Sequence, residues 1–467
     1  MKNINQQKIE RPFGMRDKLG YMFGDFGNDF TFVLSSSFLL KFYTDVMGVS
    51  AGVVGIVMML SRFVDAFTDV AMGRICDKSR VTPNGKFKPW ILRMCGPVAI
   101  ASFLIYQSSL ADMSMGFKIA YLFVTYILWG SVFYTSINIP YGSMASAISA
   151  EPGDRQSLST YRSMGATLAG LFIGAGVPLV AYDKVEGNAV LNGGRFTLIA
   201  GIFSILAVVC YLLCYVLTTE RVMPQRNDEV ARNNSVRVMF RNALRNRALL
   251  SIIAASIVML LAQLTMQSMA NYVFPNYYGS PEAQIVSTFM MLFGMVGAAT
   301  VAKPLAGKFG KAEIAVVSNL LAVAVSILLF FLRPESVWVY VVIQAASWFG
   351  LGVFTMVSWA LITDVIDYSE IKNGVREDGS VYALYSFARK LGQAAAAGLT
   401  GFLLDFIGYS AATAFDRDVV NGIYDISTLV PALGFGLLAG ILWFWYPLHK
   451  KQVDANVAAL KEKHEKE

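Results

Sequence analysis

Four polar side chains share one helix face in a segment that is otherwise apolar enough to cross a bilayer: Arg62, Asp65, Thr68 and Asp69. At about 100° per residue, the four positions cover roughly one third of the helix circumference. A single charge at the bilayer centre costs roughly 2.5 to 3.5 kcal/mol, so three charges there require a protein interior or a water-filled cavity. The spacing therefore predicts a polar face past which ions or substrates move.

Two carboxylates lie one turn apart on the first apolar segment, Asp25 and Asp29. Such a pair is costly in a bilayer-spanning helix unless it is hydrated or paired with cations. We expect Asp29 to bind substrate, with a structural ion pair as the alternative. Asp25 lies one turn nearer the end predicted to be cytoplasmic, where we expect an interfacial structural role.

Basic residues on two other helices complement these carboxylates. Arg162 lies on the fifth apolar segment, and Arg389 and Lys390 are expected at the start of the eleventh. A buried cation needs a carboxylate partner, and Asp29, Asp65 and Asp69 are the candidates. We expect cavity roles for Arg162 and Lys390, whereas Arg389 points about 100° away, toward the interface.

The fourth apolar segment combines hydroxyl, amide and phenol groups with a proline. Pro140 removes a backbone donor and frees a carbonyl one turn back, which predicts a bend where Thr135 and Asn138 face inward. Tyr141 is one of several aromatic residues able to stack on a sugar ring. A kinked polar helix of this kind suits a cavity wall, although proline kinks also occur in plain packing.

An acidic cluster is expected just past the end of the tenth helix, formed by Asp364, Asp367 and Glu370. We interpret it as an interfacial ion-pair network that gates two halves of the protein. Arg62 and Asp77, on the second helix, are assigned to the same gating network. Asp77 follows Gly73 by four residues and precedes a basic loop, which is also consistent with a simple cytoplasmic anchor.

The composition of the chain predicts which structural elements hold these residues in position. The chain has 467 residues, of which 55% are hydrophobic and 15% charged, and a mean hydropathy of +0.51. Apolar runs of about 20 residues recur along its length, so we predict an all-α membrane protein with twelve transmembrane helices. No signal peptide is recognised before Lys18. The basic residues favour a cell (cytoplasmic) membrane protein with both termini cytoplasmic, and the net charge of +7 does not indicate nucleic-acid binding.

The residue inventory excludes several chemistries. The two histidines, His449 and His464, lie near the end of the chain, which excludes a buried histidine relay or a histidine metal site. The four cysteines fit packing roles better than a disulfide framework. The helices contain no nucleophile with an adjacent base, so we predict no enzyme activity, no cofactor and no metal beyond a possible Na⁺.

The longest basic connection divides the chain into two six-helix halves. We predict halves at residues 1–218 and 248–449, a cytoplasmic central loop at 219–247, and a charged tail without a transport role at 450–467. Similar Gly-Lys-Phe turns follow the second and eighth helices, at residues 85–88 and 307–311. Two parallel halves around a site at the bilayer midplane are typical of major-facilitator carriers.

Several separated motifs, in the same order, resemble the glycoside-pentoside-hexuronide:cation symporter family of the major facilitator superfamily. The resemblance covers nearly the whole chain. The matching segments are Gly24-Asp-Phe-Gly-Asn-Asp-Phe30, Phe42-Tyr-Thr-Asp45, Arg62-Phe-Val-Asp-Ala-Phe-Thr-Asp69, Gly85-Lys-Phe-Lys-Pro-Trp90, Asn138-Ile-Pro-Tyr141 and Asp364-Val-Ile-Asp-Tyr-Ser-Glu370. The turn Gly73-Arg-Ile-Cys-Asp77-Lys also resembles the superfamily signature that follows helix 2.

The resemblance implies cation-coupled sugar uptake. The family's melibiose carrier has a cation site at the positions that match Asp65, Thr68, Asp69 and Thr135, and a sugar site at those that match Asp29 and Arg162. This sequence departs from that carrier at four positions: Thr68 replaces an asparagine, Asn138 an aspartate, Gly142 a tryptophan and Asn28 a lysine.

These departures favour a negatively charged sugar. Because position 138 holds an asparagine and not an aspartate, a uronate carboxylate is repelled less there than it would be in the melibiose carrier. Arg162 or Lys390 can then bind that carboxylate. We expect Asn28, Asn138 and Tyr141 to complete the substrate site. The sequence therefore predicts a glucuronide or related hexuronide, with a pentoside such as a xyloside as the close alternative.

The sequence allows two coupling cations and more than one function. Thr68 has no amide oxygen, which makes a sodium site poorer and favours H⁺ over Na⁺, with Asp65 or Asp69 carrying the proton. A lipid or drug transporter on the same fold and a non-transporting sugar sensor are the alternatives. The expected partners are a sugar, a coupling cation and membrane lipids, with the protein as a monomer and without nucleic acid.

Overall fold

Long helices make up most of the protein. The structure is a computed structural model and describes residues 11–222, 246–373 and 378–466. In this part of the chain the helices are α1 Met15–Asp45, α2 Ala51–Lys78, α3 Lys88–Ile105, α4 Met115–Ile148, α5 Pro152–Val180, α6 Gly193–Leu217, α7 Arg247–Tyr277, α8 Ala283–Phe309, α9 Lys311–Leu332, α10 Val337–Asn373, α11 Asp378–Phe406, α12 Arg417–Trp445 and α13 Lys450–Lys466. A hairpin of β1 Tyr182–Val185 and β2 Asn188–Leu191 lies between α5 and α6.

The all-α membrane fold predicted from composition is confirmed. Among the described residues, ten helices are both long enough and apolar enough to cross a membrane. Two others, α1 and α11, are also long enough, at 31 and 29 residues, but carry more polar side chains. The helix order is consistent with twelve spans, followed by the polar helix α13.

A π-helical turn interrupts α4 at Leu128–Tyr134, before the predicted bend at Pro140. The backbone N–H of Thr135 donates to the carbonyl of Gly130, five residues earlier, instead of to the carbonyl four residues earlier. Such turns occur mostly as single irregularities within α-helices and are frequent at functional sites. The turn sets the direction of the side chains that precede Thr135.

Two helix boundaries predicted from the sequence are wrong. The acidic residues Asp364, Asp367 and Glu370 lie inside α10, not past its end, because this helix continues to Asn373. Arg389 and Lys390 likewise lie well inside α11, which begins at Asp378. The apolar run marks the hydrocarbon layer, whereas the helix continues until a residue such as glycine or proline disfavours it.

The chain divides into two compact units, each with its own core. The first contains residues 1–42, 63–181 and 192–227, and the second contains residues 43–62, 182–191 and 228–467. In the first unit the rings of Phe42, Tyr106 and Phe196 pack together near one end of α1. In the second, the buried face of α10 contributes Trp348, Leu351 and other apolar residues to the core. The predicted central loop at 219–247 lies outside the described residues except at its two ends.

Candidate functional site

An ion pair links α5 to α1 inside the first unit. Arg162 Nε donates to Asp25 Oδ1 at 2.9 Å, and the Asp25 side chain is almost fully buried. The partner of Arg162 is therefore Asp25, and not one of the three predicted candidates, Asp29, Asp65 and Asp69. The Arg162 side chain remains 41% exposed, so part of it is accessible to a ligand.

Asp29 lies next to this ion pair and has a different environment. It is half-buried, and within the described ranges its side chain makes no hydrogen bond or ion pair. Asp25 and Arg162 are the charges that act on it. The arrangement leaves the carboxylate oxygens of Asp29 able to accept hydrogen bonds from sugar hydroxyls.

Two amides join α1 to α4 one turn from the ion pair. Asn28 Nδ2 donates to Asn138 Oδ1 at 3.4 Å, and the Tyr211 hydroxyl donates to Asn28 Oδ1 at 2.8 Å. Asn28 is only 1% exposed, whereas Asn138 is half-buried. Asn28 therefore orients Asn138, which is the member of the pair with a more accessible side chain.

Tyr141 is fully buried and supports the ion pair. Its hydroxyl donates to the carbonyl of Tyr21 at 2.6 Å, and the two rings stack with their centroids 4.6 Å apart. The Arg162 guanidinium lies over the Tyr141 ring, 5.4 Å from its centroid. Tyr141 thus holds the guanidinium in position, and its ring is not open to a sugar in this structure.

Glycines allow the close helix approach that this arrangement needs. A Cβ atom at Gly165 would lie 2.4 Å from the carbonyl oxygen of Met22, and one at Gly24 would lie 2.2 Å from the Tyr141 ring. Real Cβ atoms do not approach other atoms so closely. Gly165 lies one turn from Arg162, so the small residue brings this part of α5 against α1.

A second polar cluster joins α2 to α4. Ser131 Oγ donates to Asp65 Oδ1 at 2.5 Å, and Thr135 Oγ1 donates to Asp69 Oδ1 at 2.9 Å. Thr68 instead donates its hydroxyl to backbone carbonyls of its own helix, including that of Asp65 at 3.1 Å. Three of the four predicted cation residues thus meet here, and Ser131 is an additional residue that the sequence analysis missed.

The helix α4 contributes to both polar clusters. Its residues Ser131 and Thr135 contact the carboxylates of α2, and its residues Asn138 and Tyr141 contact α1. Only two residues separate Thr135 from Asn138. A shift of α4 would therefore change both clusters together.

The predicted gating residues are distributed over two helices, α2 and α10. Lys311 Nζ donates to Asp364 Oδ1 at 2.5 Å, which pairs the start of α9 with α10. Asp77 is exposed at the end of α2, where its backbone carbonyl accepts a hydrogen bond from Lys86. A gating role for Arg62, Asp367 and Glu370 remains a prediction, as does the substrate role of Lys390, which belongs to the second unit.

The carboxylate of Glu220 caps α3, a role that the sequence analysis does not predict. Glu220 accepts hydrogen bonds from the backbone N–H groups of Lys86, Phe87 and Lys88, at distances of 2.7 to 2.9 Å. These are the donors that a helix start otherwise leaves without partners. Glu220 thereby fixes the Gly85-Lys-Phe-Lys turn to the chain that follows α6.

One cavity of the second unit lies at a different place from the predicted site residues. It has a volume of about 530 Å³ and is bordered by α8, α10 and the start of α13, with Lys303, Lys311 and Lys450 in its lining. Among the described residues, none that the sequence predicts to bind substrate or cation borders this cavity.

Comparison with known proteins identifies the family. Residues 20–450 match the family described as MFS/sugar transport protein. The chain is 32% identical to the glucuronide carrier protein homolog of Escherichia coli (strain K12), over 95% of each chain. It is 30% identical to the isoprimeverose transporter of Lactiplantibacillus pentosus, over 97% of this chain and 92% of that one. A solved bacterial homolog of the human lysosomal transporter Spinster shares the fold, with a TM-score of 0.67 and 12% identity over 94% of this chain and all of the other.

The chain belongs to the MFS sugar transport family, and the predicted resemblance to the glycoside-pentoside-hexuronide:cation symporters is confirmed. It is a multi-pass membrane transporter of sugars and not an enzyme. The family and the geometry together make the two polar clusters of the first unit the candidate binding sites.

Proposed function

We propose that this protein is a cation-coupled symporter that imports a glycoside by alternating access across the cell membrane. The observation that carries the proposal is the position of α4, which bonds to the paired carboxylates of α2 and to the polar groups of α1. Coupling requires that cation and sugar influence one shared element, because two ligands interact only through states that both of them bias.

The cation is proposed to bind between α2 and α4. Carboxylate oxygens of Asp65 and Asp69 and the Thr135 hydroxyl are hard ligands of the kind that Na⁺ accepts, and either carboxylate can also carry a proton. The Thr68 hydroxyl is directed to the backbone of its own helix, so it adds little to a metal site in this arrangement. We therefore favour H⁺ as the coupling cation, with Na⁺ as the alternative.

The sugar is proposed to bind beside α1, α4 and α5. Asp29 accepts hydrogen bonds from sugar hydroxyls, Asn138 donates or accepts through its amide, and the exposed part of Arg162 binds an anionic group. Asp25, Asn28 and Tyr141 hold these groups in place. A glucuronide or another hexuronide fits this set best, because the guanidinium offers a charge-assisted pair to the uronate carboxylate.

A neutral pentoside is the second candidate. Asp29 and the two amides can bind hydroxyls without an anionic group, and one relative of this chain is named an isoprimeverose transporter. We further propose that the protein is a monomer with both termini cytoplasmic, in agreement with the distribution of its basic residues.

Transport in proteoliposomes tests the proposal. The probes are p-nitrophenyl β-D-glucuronide and p-nitrophenyl β-D-xyloside, supplied outside with an inward H⁺ gradient or an inward Na⁺ gradient. We expect uphill uptake and sugar-induced alkalinisation of the medium with H⁺ alone. Uptake that needs Na⁺ and moves no protons would show that Na⁺, and not H⁺, is the coupling cation. Uptake that depends on neither gradient would reject symport.

Variants test the assignment of the cation residues. Asp69→Asn should abolish uphill accumulation but retain exchange of internal for external sugar, because exchange requires no net cation movement. Asp112→Asn, the same change in the exposed connection between α3 and α4, is the matched control and should behave as the wild type. Accumulation that persists in Asp69→Asn would contradict the assignment.

A further inference from the structure

Ser131 is a buried hydroxyl within the π-helical turn of α4. Its side chain is 2% exposed, and its Oγ donates to Asp65 Oδ1 at 2.5 Å. Within the part of the chain that the structure describes, this is the one hydrogen bond of its side chain. The half-buried carboxylate of α2 thus meets a buried hydroxyl of α4.

The contact belongs to a regular arrangement of hydroxyls and carboxylates. Ser131 and Thr135 lie four residues apart on α4, and Asp65 and Asp69 lie four residues apart on α2. The first hydroxyl donates to the first carboxylate, and the second hydroxyl to the second. By position, Ser131 is therefore equivalent to Thr135, which the proposed function already assigns to the cation.

The π-helical turn and a glycine bring Ser131 to this place. A Cβ atom at Gly130 would lie 3.5 Å from Asp65 Oδ1, so this part of α4 runs in contact with the carboxylate. The carbonyl of Gly130 accepts hydrogen bonds from both the backbone N–H and the hydroxyl of Thr135. Two hydroxyls and a backbone carbonyl are thus gathered beside the two carboxylates.

We propose, on the basis of the proposed function, that Ser131 is a ligand of the coupling cation and enables the site to use Na⁺ as well as H⁺. A proton on a carboxylate needs no further ligand, whereas a sodium ion needs several oxygen atoms. The Thr68 hydroxyl is engaged with the backbone of α2. Ser131 supplies the neutral oxygen that Thr68 does not, so its hydroxyl determines how well a metal ion competes with a proton.

The experiment compares Ser131→Ala with a conservative variant and a matched control. Ser131→Thr keeps a hydroxyl at the same position. Ser146→Ala removes a serine hydroxyl from the exposed end of the same helix, where its one hydrogen bond to a described residue is to the carbonyl of Ser143. Uptake of whichever p-nitrophenyl glycoside the wild type transports is measured as NaCl replaces choline chloride, and separately with an H⁺ gradient in the absence of Na⁺.

The expected result separates metal use from proton use. Ser131→Ala should raise the NaCl concentration for half-maximal uptake at least about ten-fold, and should retain H⁺-driven uptake within about two-fold. Ser131→Thr should restore most of the Na⁺ response, and Ser146→Ala should not differ from the wild type. A merely structural role of Ser131 would lower both modes equally.

Binding of the cation alone gives a second measurement that does not depend on the sugar. The melting temperature of the purified carrier in detergent is measured with NaCl against choline chloride at equal ionic strength. A ligand that binds only the folded protein raises its stability, so the wild type should gain stability with NaCl and Ser131→Ala should not.

Failure of this inference is distinguishable from failure of the proposed function. H⁺-driven uptake in a wild type that never responds to Na⁺ would overturn the inference and leave symport intact. An unchanged Na⁺ response in Ser131→Ala would also overturn it. A wild type that transports sugar without any cation dependence would instead reject the proposed function.

Discussion

The proposed selectivity for an anionic sugar rests on single charged side chains of the first unit. Arg162 is held from two sides, by the Asp25 carboxylate and by the Tyr141 ring, and part of its side chain is still exposed. A guanidinium fixed in this way loses little conformational freedom when an anion binds to it. Asp29, on the next turn of α1, supplies a hydrogen-bond acceptor at the same place.

Removal of the guanidinium should reduce glucuronide transport more than xyloside transport. Because Arg162→Gln alone leaves Asp25 buried without its partner, the informative variant is the neutral pair Arg162→Gln with Asp25→Asn. A lost charge-assisted hydrogen bond is worth about 1.5 to 3 kcal/mol, which predicts a roughly ten- to hundred-fold loss in glucuronide uptake efficiency.

The comparison is made from initial uptake rates of p-nitrophenyl β-D-glucuronide and p-nitrophenyl β-D-xyloside in the same vesicles. Asp25→Asn alone, which retains the guanidinium, is the control. If the double variant reduces uptake of both sugars by the same factor, Arg162 positions helices and does not bind the uronate.

At the residue scale, the sequence predicts the charged faces but not all of their partners. Asp25 and Asp29 lie on the same face of α1, so periodicity alone does not tell which of them Arg162 meets. The choice depends on the position of α5 along α1, and one helical turn is about 5.4 Å. That offset is set by tertiary packing, including the contact of Gly165 with Met22.

At the element scale, apolar runs predict where helices cross the membrane better than where they end. The segment from Asp364 to Glu370 continues α10 because it contains neither glycine nor proline. The π-helical turn of α4 is harder to predict, since one altered hydrogen bond within a continuous helix leaves no clear sign in the sequence. A hydroxyl four residues before Thr135 is the sequence signal by which Ser131 could have been found.

A methyl group at Gly165 should separate α5 from α1. The new Cβ would lie 2.4 Å from the Met22 carbonyl oxygen, so one of the two backbones must move. Overpacking of this kind costs about 1 to 3 kcal/mol, and we expect Gly165→Ala to lower the melting temperature of the purified carrier and its sugar uptake.

The matched control is Gly170→Ala on the same helix, because a Cβ atom there meets nothing within 4 Å. It should preserve uptake, with a melting temperature equal to or slightly above that of the wild type, since alanine favours helix over glycine. Equal behaviour of the two variants would show that α5 does not need a glycine at Gly165.

At the scale of the whole molecule, sequence similarity identifies the fold and the family, but it does not describe the two compact units. The second unit includes the start of α2 and the β-hairpin, although both precede the central loop. In this unit the Tyr409 hydroxyl donates to Asp45 Oδ1 at 2.7 Å. Burial, with a further contribution from Asp45, raises the pKa of both Tyr182 and Tyr409, so these phenols remain protonated at neutral pH.

The helix α2 contributes to both units. Its first part packs against α11, where Cβ atoms at Gly55 and Gly401 would lie within 3.1 Å of the other helix. Its second part carries Asp65 and Asp69. The proposed cation ligands therefore lie on the same continuous helix as residues that belong to the second unit.

The net charge moved per cycle should distinguish the two proposed substrates in one carrier. With one cation, a neutral xyloside moves one positive charge inward, and a potential of about 100 mV, inside negative, releases roughly 2.3 kcal/mol per charge. This free energy corresponds to about fifty-fold greater accumulation at 1.4 kcal/mol per decade. An ionised glucuronide with one cation moves no net charge, so the same potential should not increase its accumulation.

The measurement uses proteoliposomes with equal cation concentrations on both sides and a potassium diffusion potential set by valinomycin. We expect the potential to raise steady-state accumulation of p-nitrophenyl β-D-xyloside and to leave that of p-nitrophenyl β-D-glucuronide unchanged. Vesicles without valinomycin are the control for passive leakage. Potential-driven glucuronide accumulation would show that two cations accompany each uronate, and if neither sugar responds, the carrier does not couple sugar entry to net cation entry.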